Sequence, residues 1–218
     1  MRLLIVDYLA SLKEREELDA ILPDLLTELG YNVISRPRRG TSQRGVDIAA
    51  VRTVDGADTL YLFSLKAGDL TRNEWNGPQA QALRPSLDEI RDSYLTSRVP
   101  PKYREAKVVI CLCFGGEIRE DVRDLVAGYI ENNTTHRISY EEWNGGRLAD
   151  LLLEGLLREQ VLPDAMRISF RKAVALVDEP EIAYQHFLKV ADQLLAAGRA
   201  NAKARVLSIR QLSLCAWI

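Results

Sequence analysis

Apolar residues recur at helical spacing between positions 12 and 29, where Leu18, Ile21, Leu22, Leu25, Leu26 and Leu29 fall on one stripe. Gly30 follows as a C-terminal cap. The period then changes. Residues 31–35 read as a strand, the basic stretch 36–45 as a loop, and residues 46–53 and 59–66 as two more strands. Asp55-Gly56 between them predicts a hairpin turn. Residues 78–97 predict helix, with Pro78 near its start and Pro85 interrupting it. The unbroken apolar run 107–114 reads as a buried strand closed by Gly115-Gly116. A helix over 118–130, a short strand over 136–140, the turn Asn144-Gly145-Gly146 and a helix through Leu157 complete the pattern.

The predicted order is α-β-β-β-α-β-α-β-α, an α/β fold whose mixed sheet contains one hairpin and is flanked by helices. Beyond Pro163 the pattern shifts: residues 164–175 are ambiguous, and Pro180 leads into a long helical stretch. The expected division is therefore a domain over 1–163 and a helical extension, or linker to a further module, over 164–218. A net charge of −2 gives no global basic field, so any nucleic-acid surface has to be a local patch. Three cysteines, an odd number without framework spacing, point to a reducing, cytoplasmic setting. The N-terminal apolar run is too short for a signal peptide or membrane span. Leu214, Cys215, Trp217 and Ile218 give the last residues an apolar character that a longer parent chain or a partner surface would explain. Two distant histidines, His136 and His186, make no zinc site, Cys111 and Cys113 read as core, and no P-loop motif occurs.

Candidate chemistry comes from the hairpin. If Asp55-Gly56 is a two-residue loop, opposed residue numbers sum to 111, and Asp47 lies opposite Ser64. Opposed residues share a face, and Lys66, two positions along, shares it too. A carboxylate, a hydroxyl and an ammonium are thus gathered at one end of an apolar strand face. One reading is a structural ion pair at the sheet rim. The other is a metal-dependent phosphodiesterase, in which the carboxylate holds a divalent cation and Lys66 orients the nucleophile or stabilises developing negative charge.

These residues resemble the PD-(D/E)xK nuclease superfamily, particularly its Mrr-like and archaeal resolvase-like branches. The resemblance spans about residues 12 to 157. It runs through Glu14-Arg15-Glu16-Glu17-Leu18, then Arg44-Gly45-Val46-Asp47-Ile48-Ala49-Ala50, then Leu62-Phe63-Ser64-Leu65-Lys66, and finally Trp143-Asn144-Gly145-Gly146-Arg147-Leu148-Ala149. It implies a restriction-endonuclease-like sheet and a DNA endonuclease dependent on Mg²⁺ or Mn²⁺, of the kind that serves as an effector in restriction or antiphage defence.

One departure stands out. Ser64 occupies the place of the family's usual Glu, Asp or Gln, and serine is a poor metal ligand. Glu14, Glu16, Glu17, Asp19 and Asp69 are candidate substitutes. Glu17 is preferred because steps of four place it on a stripe with Ile21 and Leu25, although a first-turn acid also simply suits a helix N-terminus. The expected metal ligands are then Asp47, Glu17 and the Leu65 carbonyl, with Lys66 positioning water. Arg36, Arg38, Arg39 and Arg44 lie in a loop without acids that leads straight into Asp47, and guanidinium forks suit phosphate. The expected partners are DNA and a second copy or further domains, with no membrane. Ser64 supports a rival: a catalytically silent nuclease fold that binds DNA or assembles. A structural α/β interaction domain is a third reading.

Overall fold

The computed structural model describes residues 2–36, 44–78, 82–155 and 162–217. The chain divides into two units, Arg2–Leu156 and Leu157–Ile218, so the break falls slightly before the expected 163.

The first unit is built on five strands: β1 (Asn32–Ser35), β2 (Ile48–Val54), β3 (Ala57–Lys66), β4 (Lys107–Phe114) and β5 (Ile138–Trp143). They lie in sequence order, antiparallel from β1 to β3 and parallel from β3 to β5. Asp55 and Gly56 both adopt left-handed backbone, with φ of 51° and 81°, as a two-residue hairpin requires. The turn fixes the register, and Val54 pairs with Ala57 and Ile48 with Phe63. Both pairs sum to 111, as the sequence predicts.

Alternation along these strands builds two apolar faces. Ala49, Val51, Leu60, Leu62, Val108, Ile110, Leu112 and Phe114 join one core with side chains from α4 (Leu83–Glu89) and α6 (Glu120–Asn133). Ile48, Ala50, Phe63, Leu65, Cys111 and Cys113 are buried on the other face, where Phe63 meets Trp143 edge-on. The helix α7 (Gly145–Gly155) packs against α1 (Arg2–Ser11) and α2 (Asp19–Glu28), and α2 also lies on β1 and β2.

Several expectations are corrected. Residues 12–29 are not one helix. Between α1 and α2 the segment Glu14–Leu18 kinks, with Arg15 extended and Glu16 left-handed at φ 71°. Lys13 to Glu17 contains no apolar residue to anchor a helical turn, and the chain leaves the helix there. Pro85 does not interrupt a helix; it occupies the first turn of α4, where its missing N–H costs nothing. A short helix, α3 (Arg72–Asn76), capped by the Thr71 side chain, was not expected. A wide turn over Ile90–Tyr94 joins α4 to α5 (Leu95–Ser97), and β5 runs three residues past the expected Tyr140, to Trp143.

The second unit comprises α8 (Asp164–Ala175), α9 (Pro180–Ala197) and α10 (Ala202–Trp217). The ambiguous stretch is therefore helical, with Met166 and Phe170 joining Leu162, Val190, Leu194 and Cys215 in a small core. Among the described residues no helix is long and apolar enough to cross a membrane.

Candidate functional site

The candidate residues Asp47 and Lys66 lie at the end of the hairpin remote from its turn. Asp47 sits just before β2, where its amide donates to the Phe63 carbonyl at 2.8 Å. Its Oδ2 accepts from the Leu65 amide at 2.8 Å. This carboxylate therefore lies along the β2 edge of β3 rather than standing squarely on the sheet face. A strand residue sends its N–H and C=O to the same side, so the Leu65 carbonyl leaves β3 on the Asp47 side as well.

Lys66, the last residue of β3, is 4% exposed. Its Nζ donates to Glu14 Oε2 at 3.2 Å. The kink that breaks the expected long helix is what delivers Glu14 to this position. Glu17 points elsewhere: its Oε2 accepts from the Lys13 amide at 2.8 Å, closing its own turn. The geometry thus favours Glu14 over Glu17 as the acid from this segment, and spacing along an ideal helix could not foresee a break.

Burial pushes the Asp47 carboxyl up to about 6, since the charged form loses water. The Leu65 amide and Lys66 oppose that shift, whereas the negative charges of Glu14 and Asp19 add to it. Three acids thus share one electrostatic neighbourhood with one buried ammonium. The bend at Asp47 is fixed from behind. Gly45 has φ 76°, and a Cβ there would overlap the Ser86 carbonyl of α4. Arg44, itself left-handed at φ 52°, donates to the Ser93 hydroxyl.

Other candidates are placed differently. Ser64 is 1% exposed; it is paired across the sheet with Leu112. Asp69 is committed to the neighbouring loop, accepting from the Glu117 amide at 3.0 Å and from Arg119 at 3.3 Å. Arg36 is exposed and pairs with Asp24 at 3.3 Å. Arg44 is drawn toward Ser93, and Arg38 and Arg39 lie outside the described residues. The arginines are therefore not brought together as one described cluster. Gly115 and Gly116 form a packed turn: added Cβ atoms would overlap the Leu9 carbonyl and the Asp69 side chain.

Two carboxylates with one backbone carbonyl suit Mg²⁺, which keeps several waters and takes only one or two protein carboxylates. Among the described residues no group of three or more His, Cys, Asp or Glu side chains is arranged to hold a metal ion. Comparison with protein-family models, with curated proteins and with solved structures returned no match.

Proposed function

We propose that the Arg2–Leu156 unit is a restriction-endonuclease-like domain of the PD-(D/E)xK type that hydrolyses DNA phosphodiesters with Mg²⁺ or Mn²⁺. The observation that carries this reading is Asp47, a half-buried carboxyl pushed up to about 6 with Glu14 and Asp19 adding to the shift. Desolvating an acid near two others costs the fold stability, a cost that the Leu65 amide and Lys66 offset only in part. A bound cation would compensate it, and perturbed carboxyls of this kind are candidate functional groups. The element order and the antiparallel-to-parallel switch at β3 support the same reading.

Asp47, Glu14 and the Leu65 carbonyl would hold the cation, which supplies charge neutralisation and an acidified water when bound. Lys66 is fixed at the strand end, 3.2 Å from Glu14, where its ammonium can orient water and meet charge building on phosphate oxygen. The Leu65 amide holds the Asp47 carboxylate in one orientation at no cost in side-chain freedom elsewhere. Arg36 and Arg44, flanking the loop before Asp47, would contribute phosphate contacts that position the backbone without reading bases. A cytoplasmic effector role in restriction or antiphage defence follows from the resemblance.

A specific observation favours a second reading. Ser64 stands where a further acid is expected, so the protein supplies few charged ligands. The fold would then bind DNA, or assemble, without cutting it.

Plasmid cleavage titrated with Mg²⁺ and Mn²⁺ tests both. Asp47→Ala, Lys66→Ala and Glu14→Gln should each lose on the order of 100-fold or more in rate, while Glu17→Gln should stay within about threefold of wild type. Cleavage by Asp47→Ala at the wild-type rate would refute the site. Wild-type protein that binds DNA but never cuts it, across metals and DNA forms, would leave the silent reading standing.

A further inference from the structure

The second unit exposes much of its apolar surface. In α10 the residues facing the unit's own core are Ser208, Gln211, Cys215 and the half-buried Leu212. Two of these are polar. Val206, Leu207 and Ile209, on the other side of the same helix, are 50%, 54% and 55% exposed. The helix thus turns much of its apolar surface outward, the reverse of what burial within one copy would select. In α9, Tyr184, Leu188 and Leu195 are also exposed. They recur at i, i+4 and i+11, so they form one stripe beside the inward residues Phe187, Val190 and Leu194.

Charge says what covers this surface. Asp178, Glu179 and Glu181, all exposed, lie at the start of α9, and Arg199, Lys203 and Arg205, also exposed, lie at the start of α10. A short connection makes the two helices antiparallel neighbours. The 18 residues of α9 therefore separate an acidic end from a basic end by about 27 Å. Among the described residues none of these six charges makes an ion pair within the chain. The two ends are opposite in charge, and between them the helices carry Val206, Leu207, Ile209 and the α9 stripe together with Lys189 and Asp192 of α9 and Arg210 of α10. Opposite ends of this kind meet when a second copy is turned through a two-fold axis.

We infer that the α9–α10 surface is a homodimer interface, in which a second copy packs antiparallel. Each copy's acidic end meets the other's basic end across Val206, Leu207, Ile209 and the α9 stripe. Such an interface is isologous and closes after two copies, so it yields dimers rather than filaments. The inference does not depend on the nuclease reading.

Sedimentation equilibrium of the full chain should give twice the monomer mass. The double variant Glu179→Lys/Glu181→Lys, basic at both ends, and Lys203→Glu/Arg205→Glu, acidic at both, should each raise the dissociation constant by at least about tenfold. Mixed in equal amounts, these two should form a heterodimer as tight as wild type to within about threefold. Both pairs of substitutions in one chain should restore the homodimer. All four positions are exposed, so loss of folding does not confound the result, and Val206→Asp probes the apolar centre independently. A chain that stays monomeric at all concentrations would overturn the proposal. So would a dimer indifferent to both charge reversals, or one in which an equal mixture shows no recovery.

Discussion

Asp47 is the residue on which stability and the proposed function make opposite demands. Its carboxyl is pushed from an ordinary 3.8 to about 6 in the folded protein. Between those values the native state binds more protons than the unfolded chain, so stability falls as pH rises through that window. Above about 6 the full cost is present, on the order of 2–3 kcal/mol. Asp47→Asn keeps an acceptor for the Leu65 amide and discards the charge. It should melt at a higher temperature than wild type near neutral pH, with the two curves converging near pH 4, while cleavage is lost. A variant less stable than wild type at neutral pH would instead make Asp47 a structural ion-pair partner. Pattern alone placed Asp47 near Lys66, because the two-residue turn fixes the register as far as Ile48 and Phe63; at Asp47 itself the amide steps to the Phe63 carbonyl and does not pair opposite Ser64. Pattern could not choose Glu14 over Glu17, since that choice rests on the left-handed backbone of Glu16, at φ 71°, which no side-chain spacing encodes.

At the scale of elements, the candidate site depends on how a turn is seated. Gly45 lies against α4 at a distance no side chain permits, with a backbone angle that itself favours glycine. Gly45→Ala should therefore cost about 2 kcal/mol or more, through both the φ penalty and the overlap with the Ser86 carbonyl. Urea unfolding of wild type and variant checks this, and an unchanged midpoint would show that the turn is held by something else. The hairpin and the buried β4 were legible because each is written in local periodicity or turn chemistry. Asn144-Gly145-Gly146 reads as a turn, but Gly145 and Gly146 already open α7, where the Asn144 side chain accepts from the Arg147 amide. The short α3 was not legible, because its Arg-Asn-Glu-Trp-Asn sequence has only Trp75 to mark a buried face. Pro85 misled for a related reason. A proline reads as a break unless the start of the helix is already known, and Ala82 offers no capping side chain to announce it.

Across the whole molecule, a net charge of −2 means that affinity for a polyanion has to come from a local group of cations. Replacing Arg36, Arg38, Arg39 and Arg44 together with Ala should weaken DNA binding. Each lost phosphate contact should lower the slope of log affinity against log salt by about 0.9. A slope unchanged by all four replacements would reduce them to solvated surface. The division of the chain was visible in sequence only as a loss of pattern after Pro163, because α8 mixes polar and apolar residues and leaves Ile168 62% exposed. The cysteines are distributed over both units. Cys111 and Cys113 lie in β4, Cys113 paired with Leu65, whose amide holds Asp47; Cys215 lies in the helical core. All three are free and buried, and burial raises every one of their thiol pKa values. Each is therefore inert until its own surroundings open. Alkylation followed residue by residue thus times the opening of each unit separately, and at Cys113 it times the strand pair beside which Asp47 is held.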